Sequence, residues 1–173
     1  GLLAIAGLLT VHVVTRDIVP ALPATPDVAT MPVSTEVVDR QGELLRPFTT
    51  ASGIWRLPIQ LKDVDRRFIA MLVAYEDRNF EQHHGIEWIS LLHAARPYVL
   101  AGGHIVSGGS TLPMQLARLI EQSPTHDWSA KLRQLVHANA LEHELSKDQI
   151  LTLYLNRAPY GGNIEGIRAA SLA

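Results

Sequence analysis

The sequence predicts a mainly α-helical domain with a short β segment near its N-terminal end and part of a membrane helix ahead of it. Three patterns carry this. Apolar residues at helical spacing, with recognisable helix starts, recur from Phe68 onward. Between Ser34 and Leu61, short apolar runs flank turn chemistry. The opening stretch, GLLAIAGLLTVHVV, is apolar except for Thr10 and His12. At 173 residues the chain can form one domain with a real core. An apolar fraction of 47% and a charged fraction of 18% describe a globular protein with a lean towards membrane contact. A net charge of -2 supplies no strong basic field and argues against nucleic acid as a partner. With no cysteine there is neither a disulfide framework nor a thiolate metal site.

Residues 1–19 read as a partial transmembrane anchor. The apolar run is shorter than the roughly 20 residues a full span needs, and a buried core helix or the remains of a signal peptide stay open as alternatives. Residues 20–34, with four prolines and few charges, read as a semi-extended linker. Residues 35–173 form the remaining domain. Within it, Val37-Val38, the turn Asp39 to Gly42 and Leu44-Leu45 predict a hairpin, and Ile54 to Leu61 could add one strand.

The first helix is predicted from Phe68, Met71, Leu72 and Tyr75, spaced i, i+3, i+4 and i+7 as a buried stripe. It leads into AYEDRNFEQHHG. Glu76 falls on the border of that stripe, where a partly desolvated carboxylate suits a general base; an acidic pair on a solvated helix end is the alternative. The next helix follows SGGSTLPMQLARLI. Ser110 is its predicted N-cap, Pro113 falls in the first turn, and Leu112, Leu116, Leu119 and Ile120 form its buried face. Thr111, Gln115 and Arg118 align on a polar face. A glycine turn entering a helix N-terminus suits an anion, and Arg118 would suit a phosphate or pyrophosphate, although the same pattern serves as a plain helix start.

A third helix is expected from Leu132, Leu135, Val136, Leu141 and Leu145, with Lys131, Gln134 and His137 along an edge of its polar side. Lys131 is either a ligand group or a solvated lysine. Ser146 and Gln149 form a capping box for KDQILTLYLN, whose Ile150, Leu151, Tyr154 and Leu155 face inward. RAPYGGN then breaks the helix, and a last helix is expected from Ile164.

Three spaced motifs in order make the chain resemble the family-51 peptidoglycan glycosyltransferase (transglycosylase) domain of class A penicillin-binding proteins, the 1C type among them. Glu76, Asp77, Phe80, His83 and Gly85 match E-D-x-x-F-x-x-H-x-G. Gly109, Ser110, Thr111, Gln115 and Arg118 match the glycine-Ser-Thr turn with its Gln and basic residue. Lys147, Ile150, Leu151, Tyr154, Leu155 and Asn156 match K-x-x-I-L-x-x-Y-L-N.

The resemblance implies a lysozyme-like fold on the outer face of a bacterial inner membrane, single-pass, with the catalytic domain in the periplasm. It implies a donor glycan chain on undecaprenyl pyrophosphate and lipid II as acceptor. Glu76 would be the catalytic base. Ser110, Thr111, Gln115, Arg118 and Lys131 would bind the donor and its pyrophosphate, with a divalent ion (Mg or Mn) as companion, and Asp77, Phe80, His83 and Gln134 would support the site. Other cell-wall synthases are implied partners. A fifth motif, and in bifunctional members a transpeptidase domain, is expected beyond Ala173.

Three departures stand out. The third motif, R-K-x-x-E, reads Ala130, Lys131 and Gln134, so an amide replaces the second carboxylate. Pro113 replaces a hydroxyl residue, and His126 stands where many members carry arginine. They keep open a lipid II-binding or scaffold protein without turnover. Lysozyme-like hydrolysis needs a second carboxylate that no motif provides. No protein-bound metal is expected: adjacent His83 and His84 point apart and lack a further ligand at metal spacing. His83 is expected to buttress the loop after the Glu76 helix.

Overall fold

The computed structural model describes residues 14–83, 110–122 and 128–173. It is mainly helical with two small two-stranded sheets. Strands β1 (Thr35–Val38) and β2 (Leu44–Phe48) pair antiparallel as the predicted hairpin. Its turn is built by Asp39, whose Oδ1 accepts the N–H groups of Gln41 and Glu43, both at 2.9 Å. Gly42 takes the left-handed conformation, φ 85°, that L side chains rarely adopt. The expected third strand is only Trp55–Arg56 (β3). It pairs in parallel with β4 (Ile164–Glu165), so the last helix starts at Ile167 and not at Ile164.

Helix α1 (Arg66–Glu76) opens on Asp65, which accepts from the Arg67 N–H at 2.8 Å. Its inward face is only partly the expected one, since Leu72 of that stripe packs on the core. Met71 is 64% exposed and Tyr75 88% exposed, while Ile69, Leu72 and Val73 pack on the core. Apolar residues occupy two faces of this helix that share Leu72, and spacing alone does not choose between them. Glu76 lies on the inward face, at i+4 from Leu72.

The core is made by α2 (Leu112–Glu121), α3 (Trp128–Glu144) and α4 (Lys147–Arg157). Both halves of the Ser146/Gln149 capping box form. Ile150, Leu151, Tyr154 and Leu155 are buried as expected, with Leu153 and Asn156 beside them. On α3 the buried stripe is Ala130, Gln134, His137, Ala138 and Leu141. Of the expected apolar stripe only Leu141 is fully buried, because polar pairing draws the other face inward. Glu121 accepts from His137 Nδ1 at 2.7 Å and from Arg133 Nε at 3.3 Å.

Two polar clamps hold the segments around these helices. The Asn156 side chain accepts the Ile59 N–H at 2.9 Å and donates to the Ile59 carbonyl at 2.8 Å, tying α4 to the strand-like stretch before α1. Arg56 donates from Nε to Glu165 at 3.0 Å and from Nη1 to the Pro32 carbonyl at 2.9 Å. Gly166, φ 85°, precedes α5 (Ile167–Leu172); a Cβ there would lie 3.0 Å from the Asn156 carbonyl oxygen.

The proline-rich stretch does not run free of the domain. Met31 joins the core, Thr25 hydrogen-bonds Glu144, and Arg133 donates to the Ala21 carbonyl at 3.2 Å. Residues 1–13, most of the expected anchor, lie outside the described residues. Among the described residues no helix is long and apolar enough to cross a membrane.

Candidate active site

The two acidic residues that end α1 have separate surroundings. Glu76 is half-buried and its Oε2 accepts from Gln115 Nε2 at 2.8 Å. Asp77 is buried. Its two oxygens each lie 2.9 Å from His83 Nε2, and Oδ2 also accepts the Leu112 N–H at 2.8 Å. The Asp77 carboxylate therefore occupies the positive end of α2.

Beneath this pair, Phe80 is fully buried with the His83 ring edge-on at 6.2 Å. The Lys147 ammonium sits 4.4 Å above the Phe80 ring, donates to the His83 carbonyl at 2.7 Å and to Glu142 at 2.7 Å. His83 thus buttresses the turn after α1, as expected, and Lys147 fixes it from α4. Lys147 was visible in the sequence only as a motif match; nothing local predicts that it reaches back to His83. Gly85 and His84 lie outside the described residues.

The start of α2 differs from expectation in one respect. Thr111, not Ser110, is the N-cap, accepting the Met114 N–H at 3.4 Å. Leu112 donates to Asp77, Pro113 has no N–H, and Gln115 donates to the Thr111 carbonyl. The first-turn donors are thus taken within the protein, so anion binding here falls to side chains. Ser110, released from capping, accepts from Lys131 Nζ at 2.6 Å. Burial, and then the nearby Arg118 guanidinium, push the Lys131 ammonium below the usual lysine range. Among the described residues neither cation is ion-paired to a carboxylate. Two cations near each other, with no carboxylate partner among the described residues and with the Ser110 hydroxyl beside Lys131, suit a negatively charged group.

Gln115 joins the two ends of the site. Its Nε2 meets Glu76, and its Oε1 accepts from the Tyr154 hydroxyl at 3.2 Å. Burial first, and then the Glu76 carboxylate, push the Tyr154 phenol up to about 12. The sequence marks Tyr154 as a core residue and a motif match, with no signal that it reaches Gln115. Gln134 is buried and engaged on α3. His126 and Gly109 lie outside the described residues.

No group of three or more His, Asp or Glu side chains suited to hold a metal occurs among the described residues. The Asp77 oxygens are committed to His83 and Leu112. Among the described residues, these side chains do not fit a resident metal ion.

Comparison with known proteins identifies the family of the chain. The family model described as Transglycosylase matches residues 41–173. Penicillin-binding protein 1C of Escherichia coli (strain K12) is 49% identical over 137 residues, covering 79% of this chain and 18% of that protein. Penicillin-binding protein 1A of Pseudomonas aeruginosa is 36% identical over 136 residues, covering 79% of this chain and 16% of its own. Penicillin-binding protein 1F of Bacillus subtilis is 34% identical over 138 residues, covering 80% and 19%. The chain spans 16–19% of the length of these curated relatives. Glu76, Gln115, Arg118, Lys131 and Tyr154 all fall inside the matched stretch, and the chain belongs to the transglycosylase family.

Proposed function

We propose that the protein is a peptidoglycan glycosyltransferase that polymerises lipid II into glycan strands in cell-wall synthesis. One observation carries this reading: Gln115 and Arg118 on α2 connect the half-buried carboxylate of Glu76, at the end of α1, with a second cation, Lys131, on α3. Glycosyl transfer from a pyrophosphate-linked donor needs both. Glu76 takes the proton from the 4-hydroxyl of the acceptor's N-acetylglucosamine. The resulting oxygen attacks the anomeric carbon of the donor's N-acetylmuramic acid, a β-1,4 bond forms, and the α-linked undecaprenyl pyrophosphate leaves. Arg118, Lys131 and Ser110 take up the charge developing on the leaving pyrophosphate.

Asp77, His83, Phe80 and Lys147 stay outside the chemistry and hold the end of α1 against the start of α2. In this reading the fold is lysozyme-like, and the domain works in the periplasm against the inner membrane, tethered by an anchor at its N-terminal end and alongside other cell-wall synthases. A divalent ion, where one takes part, arrives with the substrate's pyrophosphate.

Incubating the protein in lipid nanodiscs with lipid II and resolving the products tests the reading. Glycan polymer supports it. Lipid II binding with no polymer replaces it with a scaffold, the alternative that Gln134 in place of a family carboxylate motivates.

A further inference from the structure

The reading of Glu76 as base leaves open what holds its carboxylate in place, and the inference here rests on that reading. Among the described residues, the Glu76 carboxylate is hydrogen-bonded to Gln115, and the Gln115 side chain is hydrogen-bonded in turn to Tyr154 on α4. We propose that Tyr154 is a positioning residue for Glu76: its hydroxyl, donating to Oε1 of Gln115, orients the amide so that Nε2 faces the carboxylate and keeps Oε2 occupied.

The hydrogen-bond inventory allows one polarity while Glu76 is ionised. An ionised carboxylate only accepts, so the amide must present N–H to it. That turns the amide oxygen towards Tyr154, where a donor is required. A phenol pushed up to about 12 is a donor throughout the physiological range. The other groups acting on this phenol are Arg118 on α2 and Tyr160 in the turn after α4. Oε1 of Glu76 accepts no hydrogen bond among the described residues, so it is the oxygen that can meet the acceptor hydroxyl. Without the Tyr154 hydroxyl the amide can rotate. Its oxygen then faces Glu76, which disfavours the ionised form the base needs.

The test is the pH–rate profile of lipid II polymerisation for wild type, Tyr154→Phe, Gln115→Leu, the double variant and Glu76→Gln. Tyr154→Phe keeps the ring that packs in the core, and thermal unfolding checks that it folds. We expect Tyr154→Phe to lower kcat about tenfold with KM for lipid II within about twofold. Its acidic limb should move up by about half to one pH unit. Gln115→Leu should move the limb in the same direction, and adding Tyr154→Phe to it should cost nothing more. An acidic limb unmoved in Tyr154→Phe, or losses that multiply in the double variant, overturns the relay. If Glu76→Gln is inactive while Tyr154→Phe leaves the limb in place, the relay alone is wrong. If Glu76→Gln turns over like wild type, the base assignment fails and takes the relay with it.

Discussion

Asp77 Oδ2 accepts the backbone N–H of Leu112 at 2.8 Å, so the carboxylate that follows one helix caps the start of another. The contact spans 35 positions in sequence and sets Glu76, its neighbour, against Gln115 on the second helix. Replacing Asp77 by Asn keeps the shape and removes the charge that His83 and the helix end both favour. It is expected to cost about 1–3 kcal/mol, and Asp77→Ala more, because Leu112 and His83 would then be buried without their partner. Urea unfolding measures both. Polymerisation should fall in step with the displacement of Glu76 from Gln115.

Lys147 is a second tie of the same kind. Its ammonium meets the His83 carbonyl, the Phe80 ring and Glu142, whose side chain is 5% exposed. Lys147→Met strands that carboxylate and is expected to destabilise the fold by about 3 kcal/mol. Adding Glu142→Gln should recover part of the loss, because a neutral amide is cheaper to leave unpaired than a charge. Equal instability of the single and double variants in urea would show that the pairing matters little.

Lys131 gives a pH dependence. Burial and Arg118 both lower its pKa from 10.5, so it loses its proton at a lower pH than an ordinary lysine does. Affinity for a pyrophosphate-linked lipid is therefore expected to be full at neutral pH and to weaken on the alkaline side before pH 10.5 is reached. Lys131→Arg keeps its charge and should abolish that decline, whatever it does to affinity at pH 7. Titrating a fluorescent undecaprenyl-pyrophosphate-linked ligand from pH 7 to 11 measures the difference.

Local signals were legible and long-range ones were not. The Ser146/Gln149 box, the Asp39 turn and the buried residues of α4 follow from contacts a few positions apart, and all form as read. On α1 the expected stripe of Phe68, Met71, Leu72 and Tyr75 holds at Leu72 and fails at Met71 and Tyr75, because Ile69 and Val73 flank Leu72 at helical spacing equally well. Deciding between them needs to know where the core lies. Ser110 and Thr111 are both good caps, and what selects Thr111 is the Asp77 carboxylate arriving from another helix. The parallel pairing of Trp55 with Ile164 and the clamp of Asn156 on Ile59 join segments about a hundred positions apart, for which no local pattern exists.

At the site, Glu76, Gln115, Arg118 and Lys131 are each singled out by spacing and motif, and the fold brings Glu76 against Gln115 and Lys131 near Arg118, from three different helices. Two of the residues expected to bind the donor have protein surroundings of their own. Gln115, expected to hold the donor, is bonded to Glu76 and Tyr154. Thr111, expected beside it, is buried in the helix start. Polar side chains choose partners only after the backbone has folded, and the sequence does not encode that choice locally.

The most direct test of the account is polymerisation of lipid II by Glu76→Gln beside wild type, in nanodiscs, with lipid binding and thermal unfolding measured on the same samples. The account predicts polymer from wild type and a rate lower by about a hundredfold or more from Glu76→Gln, with binding and unfolding unchanged, since loss of a general base removes roughly that much rate. Polymer formed by Glu76→Gln at a rate near that of wild type would contradict it.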